Sequence, residues 1–523
     1  MDGINLNRTI LEKLSNTKYN IIMSKKYCLL YLLLIILASL SMFTMKNYLN
    51  PVMGIFTFIT VSLLGIFCIS YYYKNNDSKN IFKVVFIVVL TFGIVCSFLT
   101  PICYVSDEVE HFVRSEMTSR GELIPVYEEG SYTTIQSTLD LIEDSKETRD
   151  TGFDHISGKK ATIFKTDADT QPINLTPAKY PSAFAENPFY GYLPQAIGMF
   201  IAKLFDLNSI WLLWLGRIFN TLLYASLVAI AVKKTPILKI PLFIVALMPL
   251  SIYQIASVSI DSMINGLGIL MIAYFFYMYK SPDNSLSIKH IITFALIGLL
   301  FGLCKTTNFV FIFLILFIPK QNFKGKLYYY NFIMIGVIGL IALLWARYAH
   351  PILINSFRGP YNIINNINST SQLNFIIQHP IDFIISVLQI PTTYIESDLL
   401  FNSRGLWFNP FNSLYLMFIG SVILFYPKEK FNPFSRLGAL LVSIMLYYGT
   451  YISFLFIWTP VGQLNPISGV QHRYFIPLFA LFPFIFGINN NTNNNTHEID
   501  FYLITIAIAF LASMLIASVV AIY

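Results

Sequence analysis

Four side chains that could carry chemistry lie close together in the segment 106–114. Asp107, His111 and Arg114 are spaced at i, i+4 and i+7, and Glu108 directly follows Asp107. In a helix this spacing places an acid, an imidazole and a guanidinium on one face. A carboxylate can take a proton from a hydroxyl, and arginine binds phosphate through paired hydrogen bonds. We therefore predict a site centred on Asp107 and Glu108.

This segment lies at a predicted membrane edge, because an apolar run over residues 81–104 directly precedes it. Acids at such a position are costly unless they are solvated or paired, and in membrane proteins they usually mark function. The alternative is a purely structural role, in which the two acids cap an interfacial helix. Both interpretations put the acids at the membrane–water boundary.

The composition excludes a soluble globular protein. Of the 523 residues, 55% are hydrophobic and 12% are charged, and several apolar runs reach the roughly 20 residues needed to cross a bilayer. We predict an all-α integral membrane protein, a bundle of about thirteen transmembrane helices with a large external first loop and interfacial helices.

The distribution of charge predicts the orientation of the chain. The segment 105–187 contains 16 acids and 8 bases, whereas the rest contains 12 acids and 27 bases, mostly in short loops. Short basic loops stay in the cytoplasm, so we predict a cytoplasmic N-terminus and an external loop 105–187. The net charge of +7 then reflects orientation in the bilayer and implies no nucleic-acid partner.

Four regions follow from this topology. Residues 1–80 form the N-terminus and two additional spans, 81–347 form the core that carries the loop 105–187, 348–412 form a second external loop, and 413–523 form the C-terminal spans. The segment 188–205 either spans the membrane or lies in its interface. We favour an external interfacial helix, because a span would move the following lysines outside.

More polar residues map to the external edge of this topology: Asp261, Lys305, His472 and Arg473. Three of them have an alternative role outside catalysis. Asp261 could cap a helix, Lys305 could extend to the interface, and Arg473 could bind lipid headgroups. Their convergence with Asp107 favours a single cavity. Such a set suits glycosyl transfer from a lipid phosphate, in which bases hold the departing phosphate. No nucleotide-binding motif is present, which suits a donor already in the membrane.

Several motifs resemble the bacterial multi-pass proteins of domain-of-unknown-function family 2142, which is related to the GT-C glycosyltransferases. The similar residues are Asp107-Glu108 with His111-Phe112, the stretch 187–192 that includes Tyr190, Ser259-Ile260-Asp261-Ser262, and Gly469-Val470-Gln471-His472-Arg473-Tyr474-Phe475. The resemblance extends over residues 101–487. It implies a GT-C-like bundle, with the two spans before residue 81 as an addition.

The acidic pair also looks like that of protein O-mannosyltransferases and lipid A aminoarabinose transferases. The resemblance implies that Asp107 is the catalytic carboxylate, helped by Glu108, and that Asp261 is a second acid. Asn187 stands where some relatives have a phosphate-binding base, and Lys179 is the candidate to replace it. The remaining predicted substrate contacts are His111, Arg114, Tyr190, Lys305, His472 and Arg473.

The resemblance implies an enzyme that transfers sugar from polyprenyl phosphate on the external face of a bacterial plasma membrane. The acceptor is a cell-envelope glycan, glycolipid or protein. No cofactor is certain, and Asp107, Glu108 and Asp261 could bind Mg²⁺ or Mn²⁺ through oxygen. A flippase or transporter of lipid-linked glycan and a polysaccharide polymerase are the alternatives. A transporter would place charges along a path at mid-bilayer, which the sequence does not clearly show.

Overall fold

The computed structural model describes residues 24–45, 51–128, 130–146, 166–182, 184–355, 358–393, 409–490 and 496–522. Within these ranges the chain is nearly all-α, with one two-stranded antiparallel sheet. Apolar segments become helices because lipid offers no hydrogen bonds to an open backbone. The prediction of an all-α, multi-pass membrane protein is confirmed at this level.

The described part of the chain starts with three apolar helices, and its last helix is also apolar. The first three helices are α1 Lys25–Met45, α2 Pro51–Lys74 and α3 Ile81–Leu99. The segment after α3 contains α4 Glu108–Ser119, β1 Tyr132–Ile135, α5 Gln136–Lys146 and β2 Pro177–Tyr180. In the sheet Tyr132 lies opposite Tyr180, and Ile135 lies opposite Pro177.

Next comes a short 3-10 helix, Phe189–Tyr192, which leads into the central part of the bundle. The central helices are α6 Leu193–Leu204, α7 Ile210–Lys234, α8 Lys239–Ala246, α9 Pro249–Ile255, α10 Asp261–Tyr279 and α11 Ile288–Cys304. Three further 3-10 helices cover Thr306–Phe317, Lys320–Asn322 and Leu327–Tyr329.

The C-terminal third is again helical. Its helices are α12 Tyr330–Asn355, α13 Arg358–Ile364, α14 Ser369–Gln378, α15 Pro380–Thr393, α16 Asn409–Phe425, α17 Pro433–Ile457, α18 Ile476–Phe486 and α19 Thr496–Ile522. A 3-10 helix, His472–Phe475, precedes α18. The predicted second external loop 348–412 contains the end of α12 and the helices α13 to α15, while residues 394–408 lie outside the described part.

Eight of the described helices are long and apolar enough to cross a bilayer. A ninth is possible if Tyr361–Gln378 and Pro380–Thr392, which meet at 105°, form one broken span. The prediction of about thirteen spans is therefore not confirmed. The run over residues 239–257 breaks into α8 and α9 before Pro249, because proline cannot continue the hydrogen bonding of α8.

The segment 188–205 folds as the short 3-10 helix followed by α6. With 12 residues, α6 is about 18 Å long, well short of the roughly 30 Å hydrocarbon core. It packs along α7, and Gly198 makes this close approach possible, because a Cβ there would collide with the backbone of Leu215. The length fits the interfacial alternative.

Helix α11 and the 3-10 helix Thr306–Phe317 fold back on each other as a hairpin. Gly302 leaves room for the ring of Phe309, with which a side chain at this position would collide. The chain reverses at Lys305, whose backbone is extended (φ −157°, ψ 113°). Lys305 therefore lies at the tip of the hairpin.

Candidate functional site

Asp107 lies at the start of α4 in an unusual backbone conformation. Its φ of 62° and ψ of 9° are left-handed, a region that few residues other than glycine adopt and that often marks functional sites. The turn aims its side chain away from the one that follows, and 30% of the side chain remains exposed. Asp107 is thus the more accessible of the two predicted catalytic acids.

Arg473 holds this acid from a distant part of the chain. One of its terminal nitrogens, Nη2, lies 2.5 Å from Asp107 Oδ2, and its Nε lies 3.2 Å from Asp261 Oδ2. Its other terminal nitrogen donates to the Ser106 carbonyl at 2.9 Å and to Gln254 Oε1 at 3.4 Å. The arginine is therefore a buried cation between two carboxylates.

Two more groups complete this cluster. Gln471 Nε2 donates to Asp107 Oδ2 at 3.3 Å, and the Lys305 ammonium lies over the ring of Tyr474. Burial lowers the pKa of Lys305 well below its usual value, although the negative charge of Asp261 opposes the shift. We call Asp107, Asp261, Lys305 and Arg473 the ionic cluster.

Glu108 has a different environment from its neighbour. Its side chain is fully buried, and both carboxylate oxygens accept hydrogen bonds from Arg217 at 2.8 Å. Arg217 also donates to the carbonyls of Ser97, Thr100 and Pro101 at 2.7–3.0 Å. All five N–H groups of Arg217 therefore have acceptors, and the Glu108–Arg217 pair connects α3, α4 and α7 inside the bundle.

His111 lies close to the ionic cluster, near enough to interact electrostatically with Asp107 and Asp261. Its Nδ1 lies 2.8 Å from Tyr192 Oη, and its ring stacks on Phe184 with centroids 4.6 Å apart. Burial lowers its pKa to about 4, although Asp261 and Asp107 oppose the shift. The imidazole is therefore neutral at pH 7.

Arg114 is also buried, and its hydrogen bonds go mainly to backbone. It donates to Thr118 Oγ1 at 2.7 Å and to the carbonyls of Leu123 and Asn187 at 3.1 and 3.2 Å. These contacts attach the segment after α4 to the entrance of the 3-10 helix Phe189–Tyr192. Arg114 thus positions backbone, and its role as a substrate contact stays a prediction.

The other predicted substrate contacts occupy separate places. Lys179 lies on β2, where its ammonium is 3.4 Å from the exposed carboxylate of Glu128. Tyr190 donates to the Leu300 carbonyl at 2.8 Å, next to the end of α11. His472 is half-buried at the start of its 3-10 helix, beside Arg473. The structure therefore brings Asp107, Asp261, Lys305 and Arg473 together and leaves Lys179 on the sheet.

The donor set does not fit a divalent cation. Arg473 lies between Asp107 and Asp261, and Glu108 is engaged by Arg217. Among the described residues no group of three or more His, Cys, Asp or Glu side chains could hold a metal ion. A divalent ion needs more oxygen ligands than two carboxylates already paired with a cation supply.

Comparison with known proteins identifies the family but not a function. Residues 90–482 match the family described as predicted membrane protein (DUF2142). The chain belongs to this family. No curated protein and no solved structure matches the chain.

The region matched by DUF2142 contains every predicted site residue, from Asp107 to Arg473. Helices α1 and α2 precede this region, and α19 follows it. The sequence analysis did not identify Gln254, Gln471 or Arg217 as members of the site. Gln471 lies inside a quoted motif, whereas nothing local distinguishes Gln254.

Proposed function

We propose that this DUF2142 protein is a membrane glycosyltransferase of GT-C type. It moves a sugar from a polyprenyl-phosphate donor to a hydroxyl of a cell-envelope acceptor on the external face of a bacterial plasma membrane. The observation that carries the proposal is the ionic cluster, in which a partly exposed carboxylate, a second acid, a buried arginine and a half-buried lysine meet from four segments of the chain.

Each member of the cluster has a role in the proposed reaction. The acceptor oxygen attacks the anomeric carbon of the sugar, the bond from that carbon to the phosphate oxygen breaks, and polyprenyl phosphate leaves with the electron pair. Asp107 takes the proton from the acceptor hydroxyl. Arg473 and Lys305, whose protonated form the anionic donor phosphate favours, stabilise the negative charge that develops on the phosphate, and Asp261 orients Arg473.

The proposed mechanism uses no metal, since the bases themselves can neutralise the phosphate. It also gives Glu108 no part in proton transfer, because both of its oxygens are bound to Arg217. Glu108 instead stabilises the end of α3 and the start of α4, and so positions Asp107.

The test compares purified wild type, Asp107→Asn and Asp169→Asn in lipid with radiolabelled polyprenyl-phosphate sugars. Asp169 is an exposed acid of the predicted external loop and is the matched control. We expect the wild type and the control to transfer the sugar or hydrolyse the donor. In Asp107→Asn we expect the turnover rate to fall by on the order of 100-fold or more while donor binding is retained.

Two results would contradict the proposal. Equal turnover in Asp107→Asn and wild type would remove Asp107 as the base. Movement of labelled lipid between leaflets of a vesicle without any sugar transfer would favour the flippase alternative.

A further inference from the structure

An apolar groove lies between α11 and α12, away from the ionic cluster. It has a volume of about 320 Å³, and its walls are formed by the first turns of the two helices. Ile288 and Tyr330 lie at one end, Leu299 and Ile341 lie at the other, and Ala295 lies between. Nearly all of the lining is apolar, as a groove for hydrocarbon requires.

The groove is about half a bilayer long. From Ile288 to Leu299, and from Tyr330 to Ile341, each helix advances about 16 Å. The hydrocarbon core of a bilayer is about 30 Å thick. The groove therefore fits the acyl chain of a lipid in one leaflet.

Helix α12 leaves this groove open because it packs loosely on the bundle. Only 6% of its candidate span Leu327–Ala349 is buried, compared with 78% of the span Asp261–Tyr279 in α10. Leu340, Leu343 and Leu344 are all more than half exposed. Lipid must cover this helix, and the groove is the concave part of its surface.

The end of the groove at Ile288 and Tyr330 is basic. The segment 318–329 between the 3-10 hairpin and α12 carries Lys320, Lys324 and Lys326 and no acid, and Lys289 is the second residue of α11. The Lys324 backbone N–H donates to the Leu286 carbonyl at 2.9 Å, which holds this segment beside the start of α11.

Within the part of the chain that the structure describes, Lys289, Lys324 and Lys326 form no ion pair with an acid. Lys324, Lys326 and Lys289 are exposed, and Lys320 donates to Tyr329 Oη at 2.7 Å. Asp283 is the one acid in the segment 280–289. Basic pockets beside membrane helices attract anionic headgroups, so the charge complements a phosphate at the end of an apolar groove.

We propose that this groove binds an anionic phospholipid of the leaflet on the lysine-rich side. The acyl chain lies between α11 and α12, and the headgroup phosphate contacts Lys289, Lys324 and Lys326. In the predicted orientation this is the cytoplasmic leaflet, opposite to the ionic cluster. The inference does not depend on glycosyl transfer.

Native mass spectrometry of the full-length protein tests this proposal. Protein is equilibrated with phosphatidylglycerol and phosphatidylcholine of identical acyl chains, and bound lipids are counted. We expect wild type to retain phosphatidylglycerol over phosphatidylcholine by about tenfold. The double variant Lys324→Gln/Lys326→Gln should lose that preference. Ala295→Phe should retain neither lipid, because the larger side chain fills the groove.

Controls distinguish the groove from the general lipid surface. Lys79→Gln changes an exposed lysine of the loop between α2 and α3, and Ile55→Phe enlarges an exposed side chain on α2. Both should bind lipid as wild type does. Equal retention of the two lipids by wild type would overturn the proposal, as would lysine variants that keep the preference. Since those lysines are exposed, the double variant remains informative if Ala295→Phe fails to fold.

Discussion

Asp107 and Glu108 are adjacent acids with opposite surroundings. The left-handed backbone at Asp107 lets its side chain reach Arg473, while the next residue begins α4 and directs its carboxylate into the bundle toward Arg217. A buried carboxylate is tolerated only when paired and hydrogen-bonded. The pair Glu108–Arg217 meets that condition, and Asp107 keeps the exposure that a proton acceptor needs.

Glu108→Gln should therefore act on stability. The substitution leaves the positive charge of Arg217 buried without its partner, and we expect the free energy of unfolding to fall by about 3–5 kcal/mol. The measurement is thermal or denaturant unfolding of the purified protein in detergent. Lys179→Gln, which removes an exposed ion pair with Glu128, is the control and should change stability by less than about 1 kcal/mol.

A different result would support a catalytic role for Glu108. If Glu108→Gln unfolds like wild type but loses sugar transfer, its carboxylate takes part in the reaction and the buried pair is dispensable for folding.

His111 predicts a loss of stability in mild acid. Burial holds its folded-state pKa at about 4, whereas the unfolded chain binds the proton near pH 6.5. The folded state therefore binds fewer protons between these values, and stability falls as the pH drops from about 6.5 toward 4. We expect a loss of about 2 kcal/mol at pH 5 relative to pH 7.5 from this group.

The variant His111→Gln isolates this contribution. Its unfolding free energy should be lower than that of wild type at pH 7.5 and should change less between pH 7.5 and pH 5. Parallel pH profiles for the two proteins would show that the imidazole does not carry the effect.

At the scale of elements, the site depends on how α4, α6 and α7 pack together. Buried Glu116 on α4 accepts from Lys203 of α6 at 2.8 Å and from Thr134 of β1 at 3.0 Å. Gly198 brings α6 against the backbone of α7. These contacts fix α4 and β1 relative to α6 and α7, and hence relative to Arg217.

Gly198→Ala should weaken this packing. The added methyl group would meet backbone atoms of Leu215 and Gly216, which cannot rotate away, so we expect a loss of about 1–3 kcal/mol in unfolding free energy. Gly336→Ala on α12 is the control, because nothing lies within 4 Å of a Cβ there and alanine favours a helix. Equal stability of the two variants would contradict the close approach of α6 and α7.

At the scale of the whole molecule, the chain has a central region with a flanking group of helices. Helices α1 and α2 pack against α19, where Tyr27 stacks on Phe501 with centroids 4.9 Å apart. All three lie outside the region matched by DUF2142. Helices α1, α2 and α19 therefore pack together beside the region that carries the site.

The predicted orientation can be tested with cysteines, since Cys28, Cys68, Cys96, Cys103 and Cys304 are all buried. Leu175→Cys lies in the predicted external segment and Lys326→Cys lies on the predicted cytoplasmic side; both positions are exposed. We expect an impermeant maleimide to label Leu175→Cys in intact cells, and Lys326→Cys only after permeabilisation. The reverse pattern would put the ionic cluster in the cytoplasm and overturn the proposed function.

The sequence by itself determined the membrane class and the helical fold. These features follow from local properties, namely apolar run length and the polar residues that interrupt the runs. The motif with Arg473 and the acids at 107 and 261 also identified most of the ionic cluster. The number of spans could not be predicted from local patterns. A proline break or a short 3-10 helix shortens the continuous helix without changing the hydropathy of the run.

Only the tertiary structure decided which acid faces the site. Glu108 meets Arg217 across 109 residues of chain, and Asp107 meets Arg473 across 366. Burial and pairing at such separations depend on how helices pack, and no local pattern records them. Asp107 and Glu108 therefore differ in environment because of the folded bundle. The left-handed backbone at Asp107 and two distant arginines together determine where each carboxylate lies.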